Sequence, residues 1–125
     1  MSNLYREELL EHYHDPLNYG VIEDAEVDIN RDNPTCGDTI HLTARLDEDD
    51  RIAEVKFEGQ GCVVSMAAAS LLTAEVVGKS PEEIAALGLR DIEELLGGMR
   101  LSMGRVKCAL LALTALQKGL EEAGR

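Results

Sequence analysis

The sequence predicts an α+β fold in which helices cover one face of a small antiparallel sheet. Between residues 25 and 57, apolar residues alternate with polar ones, which is typical of strands with one buried face. From residue 65 onward the apolar spacing becomes helical. Strands followed by helices favour an α+β layer. At 125 residues and 45% apolar composition, residues 1–125 are expected to form one domain.

The first half of the chain is predicted to hold one helix and three short strands. Residues 3–14 form the helix, which Asp15-Pro16 ends because the residue before proline disfavours helical geometry. A first strand is marked by alternation in residues 25–29, and residues 33–38 are rich in turn formers. Inward-facing residues then mark the two strands of a hairpin: Ile40, Leu42, Ala44 and Leu46 in one, and Ala53, Val55 and Phe57 in the other.

The second half is predicted to be helical. Residues 65–77 form a helix that Gly78 ends, and a capping box with Ser80 at the N-cap and Glu83 at N3 opens a short helix. Residues 91–96 form another turn or two. Residues 105–123 form the last helix, whose apolar face consists of Val106, Ala109, Leu110, Leu113, Leu116 and Leu120.

The charge balance excludes some partners. The chain has 12 Lys and Arg against 24 Asp and Glu, a net charge of −12. This argues against nucleic acids and anionic membranes as partners, because binding to them depends on cationic side chains. No apolar run approaches the length of a membrane span, and the first residues are charged and amphipathic rather than a signal peptide. We therefore expect a soluble, cytoplasmic protein.

The three cysteines lie where a turn or a helix start can expose them. Cys36 is in a turn, Cys62 follows a glycine-rich loop and precedes a helix, and Cys108 follows Arg105 and Lys107. A helix N-terminus or nearby cations favour a thiolate. Because the number is odd and no C-x-x-C pair occurs, the set favours free, metal-bound or reactive thiols over disulfides.

Asp38 lies two residues after Cys36 and can complete a four-donor site with the three thiolates. Such a soft site suits Zn²⁺ or an iron–sulfur centre. A divalent ion would leave a double negative charge, which Arg105 and Lys107 can bring near neutral. The alternative is three unrelated buried cysteines, since cysteine is among the most buried residue types.

The histidines are expected to play no part in this site. His12 and His14 are interpreted as solvated or as capping the end of the first helix. His41 alternates away from the apolar face of its strand and is expected to be exposed. A nucleophilic pair of Cys36 with His41 is not favoured, because no third orienting group is evident.

Three motifs together resemble the NifU N-terminal/IscU/SufU family of iron–sulfur assembly proteins. The resemblance runs from Tyr5 to about Leu120, nearly the whole chain. The motifs are Asn33-Pro34-x-Cys36-Gly37-Asp38, Gly59-x-Gly61-Cys62-x-x-Ser65 and Arg105-x-Lys107-Cys108. The resemblance implies a three-stranded antiparallel sheet covered by helices. It also implies a metal site that receives sulfur from a cysteine desulfurase, with the ligands Cys36, Asp38, Cys62 and Cys108.

Two departures place the chain within that family. Lys107 stands where IscU-type scaffolds carry His, which makes the chain similar to SufU at its ligands. The segment 101–107 replaces a proline-containing chaperone-recognition segment, and the short spacing between Cys62 and Cys108 is nearer to the IscU type. The choice between cluster scaffold and zinc-dependent sulfur carrier therefore stays open.

The resemblance implies an iron–sulfur assembly protein rather than an enzyme in its own right. It would accept persulfide sulfur at one site that holds Zn²⁺ or a [2Fe–2S] cluster, with Cys36 and Cys108 as the reacting thiols. Its partners would be a cysteine desulfurase and downstream apo iron–sulfur proteins or carriers. The alternative is an interaction module with a purely structural zinc. Asp38 argues for exchange, since structural sites prefer Cys or His throughout.

Overall fold

The computed structural model describes residues 3–33 and 37–124, with side chains from residue 7 onward. No helix within these ranges is both long and apolar enough to cross a bilayer. Five helices and three strands follow one another along the described chain. They are α1 (Asn3–His14), β1 (Val27–Asn33), β2 (Asp38–Leu46), β3 (Ile52–Gln60), α2 (Val63–Val76), α3 (Pro81–Ala85), α4 (Leu89–Leu95) and α5 (Met103–Glu122).

The sheet is antiparallel, with the strand order β1-β2-β3, which confirms the predicted α+β fold. Pairing of β1 with β2 continues to Asn33 and Asp38, so both residues belong to strands. The predicted turn at 33–38 was therefore too long. This difference matters for function, because a strand rather than a loop positions the Asp38 side chain.

The inner face of the sheet is buried as the alternation predicts, with one error in β3. Ile40, Leu42 and Ala44 are at most 2% exposed. Ala53 was expected to point inward but is exposed, and Ile52 is buried in its place. The pairing register shifts between Arg45 and Leu46, and such an irregularity changes which residues of the paired strand face the core.

Helices α2 and α5 pack against each other and onto the sheet. Gly119 of α5 allows the close approach, since a Cβ there would lie 2.5 Å from Cγ1 of Val27 and 3.2 Å from Cγ2 of Ile29. The predicted apolar face of α5 is largely confirmed, because Ala109, Leu113, Leu116 and Leu120 are at most 3% exposed. The core is thus aliphatic, with Phe57 as its only buried aromatic side chain within the described residues.

Helix α1 and the loop after it are anchored on α2 by a buried serine. The Ser70 hydroxyl accepts a hydrogen bond from the backbone N–H of Leu17 at 2.8 Å and bonds His12 Nδ1 at 2.7 Å. His12 was interpreted as solvated or capping, and that was wrong. The amphipathic pattern of α1 did not reveal that a polar side chain would face a helix packed 58 residues away in sequence.

The loop after α1 runs along the outer edge of β3. Backbone bonds join Gly20 N–H to Phe57 C=O at 2.8 Å and Phe57 N–H to Asn18 C=O at 3.0 Å. The Ile22 N–H then bonds the buried Thr43 hydroxyl at 3.0 Å. The first residue of β2, Asp38, lies close to the N-terminal turns of α2 and α5.

Candidate metal centre

Three elements bring three potential metal donors together. Asp38 begins β2, Cys62 occupies the N-cap position of α2, and Cys108 lies in the second turn of α5. A carboxylate oxygen of Asp38 and the two sulfur atoms all lie within 4.8 Å of one another. These residues come from positions 24 and 46 residues apart in the sequence, so the fold builds the cluster. Three of the four predicted ligands therefore converge.

Cys36, the fourth predicted ligand, lies outside the described residues. In the sequence it stands two residues before Asp38. The described part of the site is formed by Asp38, Cys62 and Cys108.

Asp38 is a buried carboxylate with an unsatisfied oxygen. The residue is 2% exposed, and its Oδ2 has no hydrogen-bond partner among the described residues. Burying an unpaired carboxylate is costly, so an orphan oxygen of this kind points to an ion or water that completes it. Two sulfur donors and one carboxylate within a few ångströms fit Zn²⁺, which binds Cys and Asp in tetrahedral sites. The donor set therefore fits a soft or borderline metal.

Asn33 pairs with Asp38 in the β1–β2 ladder and likewise has a buried polar atom without a hydrogen-bond partner among the described residues. It is 7% exposed, and its Nδ2 is the other buried side-chain atom without a partner in the described part of the chain. Asn33 was predicted to lie in a turn, and no role in the site was expected of it. Its place at the start of the first motif was the available signal that it belongs to the site.

Cys62 is the partly exposed donor of the three. Burial raises the pKa of its thiol, but the amide and hydroxyl of Ser65 and the amide of Val64 outweigh this effect and the repulsion of Asp38. The net result is a pKa below the ordinary value of 9.0. The predicted position of Cys62 at a helix start is confirmed, since it is the N-cap residue of α2, although its sulfur makes no side-chain cap hydrogen bond.

Gly61 and Ser65 pack tightly around the donors. A Cβ on Gly61 would overlap the Ser65 hydroxyl and lie 2.9 Å from Oδ1 of Asp38. Ser65 is 2% exposed, and its hydroxyl donates to the Cys62 carbonyl at 3.0 Å. Both residues belong to the second motif, but no role in the site was expected of them. The Gly-x-Gly-Cys-x-x-Ser spacing was the signal, since it sets Ser65 one helical turn from Cys62.

Cys108 is 1% exposed, and its thiol lies 3.9 Å from the Gly104 carbonyl in the preceding turn of α5. Arg105 and Lys107, predicted to balance the charge of the site, are both exposed. Neither side chain forms an ion pair or hydrogen bond with another described residue. The structure thus places these cations on the first turns of α5 without bringing them onto the donors.

His41 also lies apart from the donors, as expected. It faces outward from β2 and pairs with Asp28 of β1, with 2.7 Å between Nε2 and Oδ1. No described histidine belongs to the donor group. The site is therefore a cysteine–carboxylate cluster, as far as the described residues extend.

An open groove of about 680 Å³ adjoins the glycine-rich loop before Cys62. Its walls are the end of α1, the Tyr19 ring and the backbone from Gly59 to Gly61. Tyr19 is 49% exposed, and its ring packs edge-to-face on Phe57 at 5.4 Å. The groove therefore borders the residue that directly precedes Cys62 in the sequence, Gly61.

Known proteins resemble this chain in both sequence and fold. The chain is 39% identical to the zinc-dependent sulfurtransferase SufU of Bacillus subtilis, covering 99% of this chain and 95% of that protein. It is 35% identical to the iron–sulfur cluster assembly scaffold protein IscU of Streptococcus pyogenes, covering 98% and 86%. A crystal structure of a hypothetical protein superposes with a TM-score of 0.83 at 34% identity, covering 97% and 99%. Residues 4–123 match the NifU-like N terminal domain, and the chain therefore belongs to that family.

Proposed function

We propose that this protein supports iron–sulfur cluster assembly by accepting sulfur from a cysteine desulfurase at a site formed by Cys36, Asp38, Cys62 and Cys108. Residues 1–125 would act as one domain, either as a cluster scaffold or as a zinc-dependent sulfur carrier. The observation that carries the proposal is the cluster of Asp38, Cys62 and Cys108 donor atoms within 4.8 Å, with an orphan carboxylate oxygen buried in it. The names of the SufU and IscU relatives support it.

The resident ion would be held by the thiolates and by Oδ2 of Asp38. When bound, Zn²⁺ keeps its sulfur ligands deprotonated and acts as a Lewis acid. A [2Fe–2S] cluster, in the scaffold alternative, would be cargo assembled on the same donors and passed on to apo iron–sulfur proteins or carriers.

The sulfur step requires a nucleophilic thiolate on this chain. That thiolate attacks the terminal sulfur of the desulfurase persulfide, a new S–S bond forms on this chain, and the desulfurase cysteine leaves as a thiolate. No net oxidation occurs, since the sulfur moves between two thiols without change of oxidation state. Cys36 and Cys108 remain the proposed reacting thiols. Arg105 and Lys107 would supply positive charge from the first turns of α5 for an incoming anionic persulfide.

Asp38 would be the exchangeable ligand. A carboxylate is a harder donor than a thiolate, so it forms the weakest bond in this set to a soft or borderline metal. The partial exposure of Cys62 also favours exchange over a closed structural zinc, because an incoming group can reach one ligand without unfolding the site.

Native mass spectrometry of anaerobically purified protein tests the proposal. Samples with and without a cysteine desulfurase and cysteine are compared. We expect one Zn²⁺ or one [2Fe–2S] mass per chain, and a +32 Da adduct when desulfurase and cysteine are present. A chain that binds one Zn²⁺ but gains no sulfur, and that unfolds on chelation, would instead be an interaction module with a structural zinc.

A further inference from the structure

The Ser65 hydroxyl lies beside two of the metal donors, Cys62 and Asp38. Its Oγ lies 3.0 Å from the carbonyl of Cys62, and the point where a Gly61 Cβ would stand lies against both this Oγ and the carboxylate of Asp38. The hydroxyl is buried, so water does not compete freely for its proton. Rotation about the Cβ–Oγ bond moves that proton without moving the backbone.

A donor that detaches from a metal needs a new partner at once. A buried carboxylate or thiolate left without one pays the full cost of desolvation. Within the described residues, Asp38 Oδ2 has no hydrogen-bond partner of its own. The Ser65 hydroxyl, which donates to a backbone carbonyl, is a neighbouring group that can change its partner.

We propose that Ser65 is a positioning residue for ligand exchange: its hydroxyl turns from the Cys62 carbonyl to whichever of Cys62 or Asp38 has left the metal. This inference rests on the proposed function, since it presumes a metal held by these donors. Gly61 is part of the same device, because its missing side chain lets hydroxyl and carboxylate approach one another.

Ser65→Ala is expected to slow metal release rather than to speed it. If Ser65 only held the start of α2 in place, its loss would loosen the site and speed metal release. If it stabilises the detached ligand, its loss raises the cost of the half-open site, and metal release becomes slower. We expect the half-time of zinc release to a chelator to lengthen about tenfold or more, the effect of one hydrogen bond to a charged group.

The experiment compares zinc-loaded wild type with Ser65→Ala, Ser65→Thr and Ser102→Ala. The Thr variant keeps the hydroxyl and should restore release toward the wild-type rate. Ser102 is the control, because it is exposed and makes no side-chain cap bond at the start of α5. Circular dichroism checks the fold, and the sulfur-to-cobalt charge-transfer band of Co²⁺-loaded samples checks that the number of bound thiolates is unchanged.

Slower release in Ser65→Ala, with rescue by Thr and an unchanged cobalt spectrum, supports the proposal. Release that is unchanged or faster, or a failure of Thr to rescue, overturns it. Failure of the proposed function has a different appearance, since wild type itself would then gain no +32 Da sulfur adduct with desulfurase and cysteine, whatever the release rates of the Ser65 variants.

Discussion

Gly61 lies against the carboxylate of Asp38 so closely that a Cβ on Gly61 would be 2.9 Å from Oδ1. The absence of a side chain at Gly61 therefore lets the strand that carries Asp38 lie close to the segment that leads to Cys62. A methyl group at this position forces the carboxylate and the Ser65 hydroxyl to move.

Gly61→Ala is expected to weaken zinc binding by about tenfold or more, the range seen when partners of metal ligands are disturbed. Overpacking should also lower the free energy of unfolding by about 1–3 kcal/mol. Gly104→Ala is the matched control, because nothing lies within 4 Å of its absent Cβ. Competition with a zinc chelator measures affinity, and equal affinities in the two variants would contradict the crowding argument.

Asp38→Cys is expected to hold the metal longer. The substitution supplies a soft donor at similar reach, so the half-time of release to a chelator should increase several-fold. Desulfurase-coupled sulfur acceptance should slow, because the exchangeable position is lost. Faster release with undiminished sulfur acceptance would remove Asp38 from its proposed role.

Cys108→Ser is expected to lose metal affinity while the protein keeps its fold. A serine hydroxyl can donate to the Gly104 carbonyl that already neighbours the Cys108 thiol. The free energy of unfolding should therefore stay within about 1–2 kcal/mol of the wild-type value. Zinc affinity should fall more than about 100-fold, beyond the effect of disturbing an outer partner. Wholesale loss of the circular dichroism spectrum would favour the structural-zinc alternative.

Glu83 predicts a pH dependence far from the site. The Ser80 amide, together with Arg51 and the Ser80 hydroxyl, holds the pKa of its carboxyl below the ordinary 4.5. The stabilising contribution is present above the unfolded-state value and is lost as pH falls through the lower folded-state value. Wild type should therefore lose more stability than Glu83→Gln as pH falls from 5 to about 3. Urea midpoints at several pH values measure this, and parallel curves would refute it.

Much of the fold was predictable because local patterns and tertiary burial agree. The alternation of Ile40, Leu42 and Ala44 and the capping box of Ser80 and Glu83 are local signals, and the structure confirms both. The bounds of β1 and the burial of Ile52 depend on the pairing register, which the alternation of a single strand does not encode.

The ligand residues of the candidate site could be predicted from the sequence, but the packing around them could not. Family motifs named Asp38, Cys62 and Cys108, and the fold brings these three together. The crowding of Ser65 against Gly61 and the orphan atoms of Asn33 and Asp38 arise only when three distant elements meet. The exposure of Arg105 and Lys107 likewise follows from how the first turns of α5 project from the core.

The loop at residues 18–20 has a consequence for the solubility of the sheet. By occupying the outward N–H and C=O of Phe57, it removes part of one strand edge as a template for strand addition by another chain. Among the described residues, β1 is the edge with no strand partner on its other side. Cleavage or insertion that displaces this loop would therefore expose the N–H and C=O of Phe57 to another strand, two residues before Gly59 in β3.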